Sequence, residues 1–124
     1  MSGGVPNAAR VLLAGVRIVN GTVSLVAPAT FARRIGVEPE NNGPALYALR
    51  LFGVRTVLIG VDLLSRNPEV RERAVRAALP IHLSDAISAA VAGASGQLPA
   101  KGAKAAVITS TLNTVLALAA RRSI

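Results

Sequence analysis

The residues best placed to do chemistry are His82 and Asp85, which lie three positions apart in an apolar stretch. Side chains at this spacing are neighbours on one face of a helix, and a His–carboxylate pair can relay protons. No nucleophile or further acid/base group is evident beside them. We therefore favour a role in packing or helix register, with proton relay as the alternative.

The sequence predicts no catalytic, cofactor-binding or metal-binding residues. The chain has no cysteine and a single histidine, which excludes thiol chemistry and His-cluster metal sites. It also lacks the motifs of phosphate-binding loops, zinc proteases, serine hydrolases and EF-hands. We expect a protein that is not an enzyme and that uses no cofactor.

Several ionisable residues interrupt apolar segments and predict an intramembrane charge network. Its members are Arg17, Arg50, Arg55, Asp62, His82 and Asp85. An isolated charge at the bilayer centre costs about 2.5–3.5 kcal/mol on insertion scales, so these groups should face the bundle interior and pair. We expect Asp62 and Asp85 to accept hydrogen bonds from Arg17 and Arg55, while Arg50 reaches towards the interface.

Three roles remain open for these charges. Buried Arg–Asp pairs can fix helix register without taking part in a reaction, which is the interpretation we favour. An arginine left without an acid could instead hold a lipid headgroup or another ligand. A proton or ion pathway is the third alternative.

Small and polar residues at helical spacing predict a helix-packing or partner-binding face. Gly53 and Gly60 lie seven positions apart, and small residues in a membrane helix permit close approach of a neighbouring backbone. Thr109 and Asn113 form a second stripe, and such side chains usually hydrogen-bond across helices. Together they supply more small and polar surface than an internal bundle requires, so we expect part of it to meet another protein.

Four long apolar runs must position these residues. The runs cover residues 8–27, 45–65, 74–94 and 103–120. Each is about the length that crosses a ~30 Å hydrocarbon core at about 1.5 Å per residue. The fold predicted is all-α, a four-helix transmembrane bundle with short loops, in a single membrane domain over residues 1–124. The first run, which carries Arg17, either spans the membrane or lies at its interface.

The connections between these runs carry turn signals. Residues 28–44 read as a loop, with an interfacial helical turn around 31–35. Asn67 and Pro68 indicate a turn followed by a new helix beginning at Pro68. Pro80 lies inside the third run, where it should kink the helix or mark the start of the span.

Composition supports a membrane protein over a soluble one. Charged residues make up 16% and hydrophobic residues 52%, and the mean hydropathy is +0.50. Soluble domains carry about 25% charged residues, so this chain lacks the polar surface to cover a globule in water. A soluble, unusually apolar four-helix bundle is the alternative.

The net charge of +8 raises the question of nucleic acid. The arginines are scattered through apolar runs, however, and two Phe and one Tyr are too few for stacking platforms. We expect membrane lipids as partners and no nucleic acid.

Charge asymmetry predicts the orientation in a bacterial inner membrane. With four spans, one side holds Arg10, Arg66, Arg71, Arg73, Arg76, Arg121 and Arg122, and the other holds Arg33, Arg34, Lys101 and Lys104. The positive-inside rule therefore places both termini in the cytoplasm.

The pattern R-x-x-G-x-R followed by G-x-D, a charged loop and a helix with an internal Asp resembles small four-helix bacterial membrane proteins of unknown function. The resemblance covers about residues 45–120, and its matching positions are Arg50, Gly53, Arg55, Gly60, Asp62 and Asp85. It implies a four-span bundle and no particular activity.

Two functions follow as expectations. The first is a non-catalytic accessory subunit that packs on a larger bacterial membrane complex, with an actinobacterial lipid transporter as one such host. The second is a free-standing small carrier, or a lipid- or solute-binding membrane protein, that uses the buried Arg and Asp groups. Small size and small-residue faces favour the first, whereas charges inside the spans favour the second.

Overall fold

The computed structural model describes residues 4–123, which form five α-helices and a final 3₁₀ turn. The helices are α1 (Gly4–Val26), α2 (Pro28–Arg34), α3 (Gly43–Leu63), α4 (Pro68–Ala94) and α5 (Ala100–Ala120), and the turn is Arg121–Ser123. The prediction of an all-α fold is confirmed for these residues. Five helices replace the predicted four, because a seven-residue helix lies where a loop with one helical turn was predicted.

The short helix α2 follows α1 after a break at a single residue. Ala27 has a φ of −132° and interrupts the helical backbone. Pro28 comes next, and proline is favoured in a first helical turn because its φ is fixed and its missing N–H has no partner there anyway. The same proline that ends α1 therefore starts α2.

Each predicted run corresponds to one long helix. The helix α4 begins before the run predicted for it, residues 74–94, and its first turn shows the reason. The helix begins at Pro68, as predicted from the Asn67–Pro68 signal, and runs through Pro80 to Ala94. The Asn67 side chain accepts a hydrogen bond from the Glu69 backbone N–H at 3.0 Å, which satisfies one of the free donors of the first turn. The polar residues before the run are thus the capped start of the same helix.

The four long helices alternate in direction. Arg10, near the start of α1, donates a hydrogen bond to the carbonyl of Leu63 at the end of α3. At the other end, Gly102 of α5 lies against the carbonyl of Ile35, which follows α2. We call the first end, with residues 64–67 between α3 and α4, the hairpin end, and the second the α2 end.

The bundle consists of two closely packed helix pairs, α1 with α3 and α4 with α5. Glycines allow the first pair its close approach. A Cβ on Gly53 would lie 2.6 Å from the Gly21 carbonyl oxygen, and one on Gly60 would lie 2.7 Å from the Ile18 side chain. The pairs meet mainly through α1 and α5, whereas α3 and α4 contact each other much less.

The interior is built from small side chains and the surface from large apolar ones. Among the described residues, most of the buried apolar positions are alanines, such as Ala14, Ala78 and Ala117. Val19, Ile87 and other large apolar side chains are exposed on the outside. In water such a surface would be an aggregation liability, but hydrocarbon solvates it.

Three helices, α1, α4 and α5, are long and apolar enough to cross a membrane. The predicted membrane and transmembrane-helix character is thus supported, but four spans are not confirmed. The exception is α3, which has 21 residues but carries Arg50, Arg55 and Asp62.

Candidate functional site

A polar cleft of about 450 Å³ lies between the two helix pairs, in the half of the bundle nearest the α2 end. All five helices contribute to it. Its lining includes Arg17 and Asn20 of α1, Phe31 and Arg34 of α2, Phe52 and Thr56 of α3, His82, Asp85 and Ser88 of α4, and Thr109, Ser110 and Asn113 of α5. Phe52, Asp85, Ser88 and Thr109 are exposed, so the cleft is open to the surface.

Arg17 and His82 form a buried contact across the bundle. Arg17 keeps 5% of its accessible surface and His82 keeps 2%. The Arg17 Nη1 donates to His82 Nε2 at 2.6 Å, and His82 Nδ1 lies 3.9 Å from the Asp85 carboxylate. The same Nη1 lies 3.3 Å from His82 Nδ1, and because a guanidinium can only donate, the imidazole nitrogen that accepts its hydrogen bond is an unprotonated one.

This geometry leaves the positive charge of Arg17 without a hydrogen-bonded carboxylate. Its hydrogen-bond partner is the His82 imidazole. Asp85 approaches that imidazole and not the guanidinium, and 46% of the Asp85 side chain is exposed. Buried charges are usually paired or hydrogen-bonded on all sides, since burying an uncompensated ion is costly. The charge of Arg17 is therefore available to a group that enters the cleft.

Two further polar atoms of the cleft have no hydrogen-bond partner. They are the Nε of Arg17 and the Oδ1 of Asn113, and both are buried. Few buried polar groups in folded proteins lack a partner, and each one calls for an explanation such as a water or a ligand. The two atoms are a donor and an acceptor on cleft-lining residues, and no described protein group satisfies either of them.

The mouth of the cleft combines aromatic rings with a cation. Phe31 of α2 and Phe52 of α3 pack with ring centroids 5.9 Å apart and planes inclined by 47°. Arg34, one turn further along α2, is exposed and also lines the cleft. Apolar and charged surface thus lie side by side here, as an amphiphilic molecule would require.

No protein-family model, curated protein or solved structure matches this chain.

The structure brings together part of the predicted charge network. Arg17, His82 and Asp85 meet in the cleft, but Arg17 donates to His82 where a bond to Asp85 was predicted. Arg50, Arg55 and Asp62 are exposed on α3, and the two ion pairs found among residues 4–123 include none of them. The reason is that α3 turns its glycines towards α1, which leaves its charges on the other side of the helix.

The residues predicted as a helix-packing or partner-binding face lie in two separate places. Gly53 and Gly60 are buried against α1, so they form an internal contact and are not available to another protein. Thr109 and Asn113 line the cleft. A leucine at position 60 would collide with Ile18, so a larger side chain there would disturb the packing of α3 on α1.

Several lining residues were not predicted as site residues. Asn20 follows Arg17 by three positions, and Ser88 follows Asp85 by three, so helical spacing alone could have grouped each pair on one face. Phe31 and Arg34 could not be found in this way, because the position of α2 depends on tertiary contacts.

Proposed function

We propose that this protein is an integral membrane protein that binds a small amphiphilic molecule in the cleft between its helix pairs. One observation carries the proposal: a buried arginine without a hydrogen-bonded carboxylate lines an open cleft that has both polar and apolar side chains in its wall. Membrane-embedded ionisable groups are costly and usually mark binding sites or pathways, which makes Arg17 the centre of the proposed site. A carrier or a lipid-binding protein fits this arrangement.

We propose that α3 is the fourth span. What supports this is chain direction, since α1 ends at the α2 end and α4 begins at the hairpin end. If α1 and α4 both cross the membrane, the chain between them must cross back. Its 21 residues are about 30 Å long, which matches the hydrocarbon thickness.

The proposed location is the bacterial plasma membrane with both termini in the cytoplasm. The support comes from the excess of arginines near the hairpin end, where Arg66, Arg71 and Arg73 surround the start of α4. In this orientation the α2 end, and with it the mouth of the cleft, faces away from the cytoplasm. The gap between α3 and α4, the helices with least mutual contact, is the proposed route from the bilayer.

The test is to fill the cleft. Ala106 of α5 lines it, so Ala106→Trp should abolish saturable binding of decyl amphiphiles, measured by native mass spectrometry of the protein released from detergent micelles. Leu112→Trp is the matched control, because Leu112 lies on α5 with 54% of its surface exposed and outside the cleft. Equal binding by both variants, or no binding by the unmodified protein, would contradict the proposal.

A second candidate function, the accessory subunit of a larger complex, is favoured by Arg55. Arg55 lies in the middle of the α3 sequence, and its side chain is exposed on the outside of the bundle. A charged side chain that faces lipid at the bilayer centre costs about 2.5–3.5 kcal/mol. An acidic residue on a partner's transmembrane helix would remove that cost. The candidate predicts that a photo-crosslinker at Leu58, one turn away, captures one defined membrane protein in cells, and that Arg55→Gln abolishes capture while Arg66→Gln, in the solvated turn, does not.

A further inference from the structure

We infer that the molecule bound in the cleft carries an anionic head, a phosphate or a carboxylate, and that Arg17 is the residue that binds it. This inference rests on the proposed function and adds the chemical class of the ligand. It stands on the buried guanidinium, its unpartnered Nε and the second cation at the mouth.

Only part of the hydrogen-bonding capacity of the Arg17 guanidinium is satisfied within the protein. Arg17 is more than nine-tenths buried, its Nη1 is directed to His82, and its Nε has no partner. Guanidinium groups bind carboxylate and phosphate through two or more parallel N–H donors, and such charge-assisted bonds are stronger than neutral ones. An anion in the cleft would take up the free donor and neutralise the charge together.

The other charged groups of the cleft favour an anion over a cation. Arg34 at the mouth adds a second positive charge, and Asp85 is the one acid in the lining. Asp85 faces the Nδ1 side of His82, which in turn receives the Arg17 hydrogen bond, so its negative charge is already directed to the Arg17–His82 contact. Two guanidinium groups against one carboxylate leave the lining with a net positive charge, which favours an anionic ligand.

Asn113 adds a requirement for a donor on the ligand head. Its Oδ1 is buried and unpartnered, and its amide lies in the same lining as Arg17. A hydroxyl group of a protonated phosphate or of a polar headgroup would satisfy it. The apolar part of the ligand would lie against Phe31 and Phe52 at the mouth.

The experiment compares four probes on the purified full chain: monodecyl phosphate, decanol, decyltrimethylammonium and inorganic phosphate. Native mass spectrometry titrations give a dissociation constant for each. We expect monodecyl phosphate to bind at least about tenfold more tightly than decanol or decyltrimethylammonium, because charge-assisted hydrogen bonds are the stronger ones. Arg17→Gln should remove this preference, since Gln keeps an N–H donor on a similar apolar stem but carries no charge.

Two variants separate binding from folding. Arg17→Lys should restore part of the preference, because it keeps the charge without the two-pronged geometry. Arg55→Gln, which removes a charge outside the cleft, should leave it unchanged. If Arg17→Gln fails to fold, Asn113→Ala provides the second measurement, with an expected weakening of monodecyl phosphate binding of about threefold.

The outcomes are distinguishable. Equal binding of decanol and monodecyl phosphate overturns the anionic head but keeps the proposed function. Binding of inorganic phosphate as tight as that of monodecyl phosphate supports the anion site and overturns the amphiphile. Binding of none of the probes overturns both.

Discussion

In the half of the bundle nearest the hairpin end, small apolar side chains fill the space between the helices, whereas in the half nearest the α2 end the same helices leave a polar cleft open. The packed half contains Ala9, Leu13, Ala14, Leu63, Ala74, Val75, Ala78, Ala117 and Ala120. The cleft half contains Arg17, His82 and Asn113 at comparable burial. Both halves belong to the same four long helices, so the difference lies in side-chain choice along each helix.

A short bundle can thus combine a closely packed end with an open cleft at the other end. Helix association in lipid depends on close packing and hydrogen bonds, and the alanines of the hairpin half and the glycines between α1 and α3 supply the packing. The glycines join α1 to α3 within one pair, and the alanines of the hairpin half hold the two pairs together at that end. The other end can therefore separate enough to hold a buried arginine and a cleft.

The largest expected effect is the loss of folding on adding volume where α1 and α3 touch. Gly60→Leu should destabilise the protein by about 3 kcal/mol, at the upper end of the usual cost of overpacking, because any side chain would meet Ile18 and the carbonyl of Ala14. Gly15→Leu on α1 is the control, since nothing lies within 4 Å of a Cβ there. Thermal unfolding in detergent followed by circular dichroism measures both, and equal melting temperatures would disprove the close crossing.

A matched pair on α5 tests the two halves directly. Ala117→Leu, in the packed half, should cost about 1–3 kcal/mol through overpacking, because Ala117 has no accessible surface. Ala106→Leu, three turns earlier and lining the cleft, should cost far less because the cleft has space for the side chain. The measurement is denaturant unfolding in mixed micelles. A larger loss for Ala106→Leu than for Ala117→Leu would mean that the cleft is not open.

A smaller effect is expected from Ser24, which joins α1 to α3 near the α2 end. Its hydroxyl donates to the carbonyl of Leu49 at 2.6 Å. Interhelical hydrogen bonds in membranes are worth about 0.6 kcal/mol on average, so Ser24→Ala should shift stability by about that amount. Thr22→Ala on the exposed side of α1 should have less effect, and a loss from Ser24→Ala as large as that of Gly60→Leu would contradict the ranking.

The smallest effect concerns Glu40 in the segment between α2 and α3. Its carboxylate accepts hydrogen bonds from its own backbone N–H and from the Arg33 side chain, the latter at 3.2 Å. These bonds, the backbone one first, hold the pKa of the carboxyl below its usual value. A lowered folded-state pKa means that the interaction is present above the unfolded-state pKa and is lost as the pH falls through the folded-state pKa. Because both side chains are largely exposed, the stability change should be close to undetectable, while an NMR titration should still report the low pKa. A Glu40 pKa at or above that of a model peptide would contradict the contact.

The long helices could be predicted from sequence because their signal is local. Apolar runs of spanning length, and the Asn67–Pro68 start signal, fix where α1, α3, α4 and α5 lie. The helix α2 was predicted only as a single turn, because seven residues with two adjacent arginines are too short for a periodic pattern. Its place over the cleft is set by contacts of Ile35 and Gly36 with α5 and the residues before it.

The partners of the buried charges could not be predicted, because periodicity gives the residues of one face but not which face points inwards. On α3 the glycines lie on the opposite side of the helix from Arg55 and Asp62, and close packing against α1 selected the glycine side. Gly53 and Gly60 therefore point to α1, while Arg55 and Asp62 remain outside. On α1, Arg17 lies one turn before Gly21, which packs against α3, and Arg17 is buried as well.

The most direct test of the account is the accessibility of single cysteines to a water-borne, charged thiosulfonate reagent in the reconstituted protein. The chain has no native cysteine, so Ser88→Cys and Ile87→Cys can be compared on an otherwise unreactive background. Ser88 lines the cleft, whereas the adjacent Ile87 is exposed on the outer surface of α4. We expect rapid labelling of the Ser88→Cys variant, and we expect monodecyl phosphate to slow it. The Ile87→Cys variant should not be labelled, because its thiol faces lipid. Equal labelling of the two, or labelling of Ile87→Cys alone, would contradict a polar cleft inside a membrane-embedded bundle.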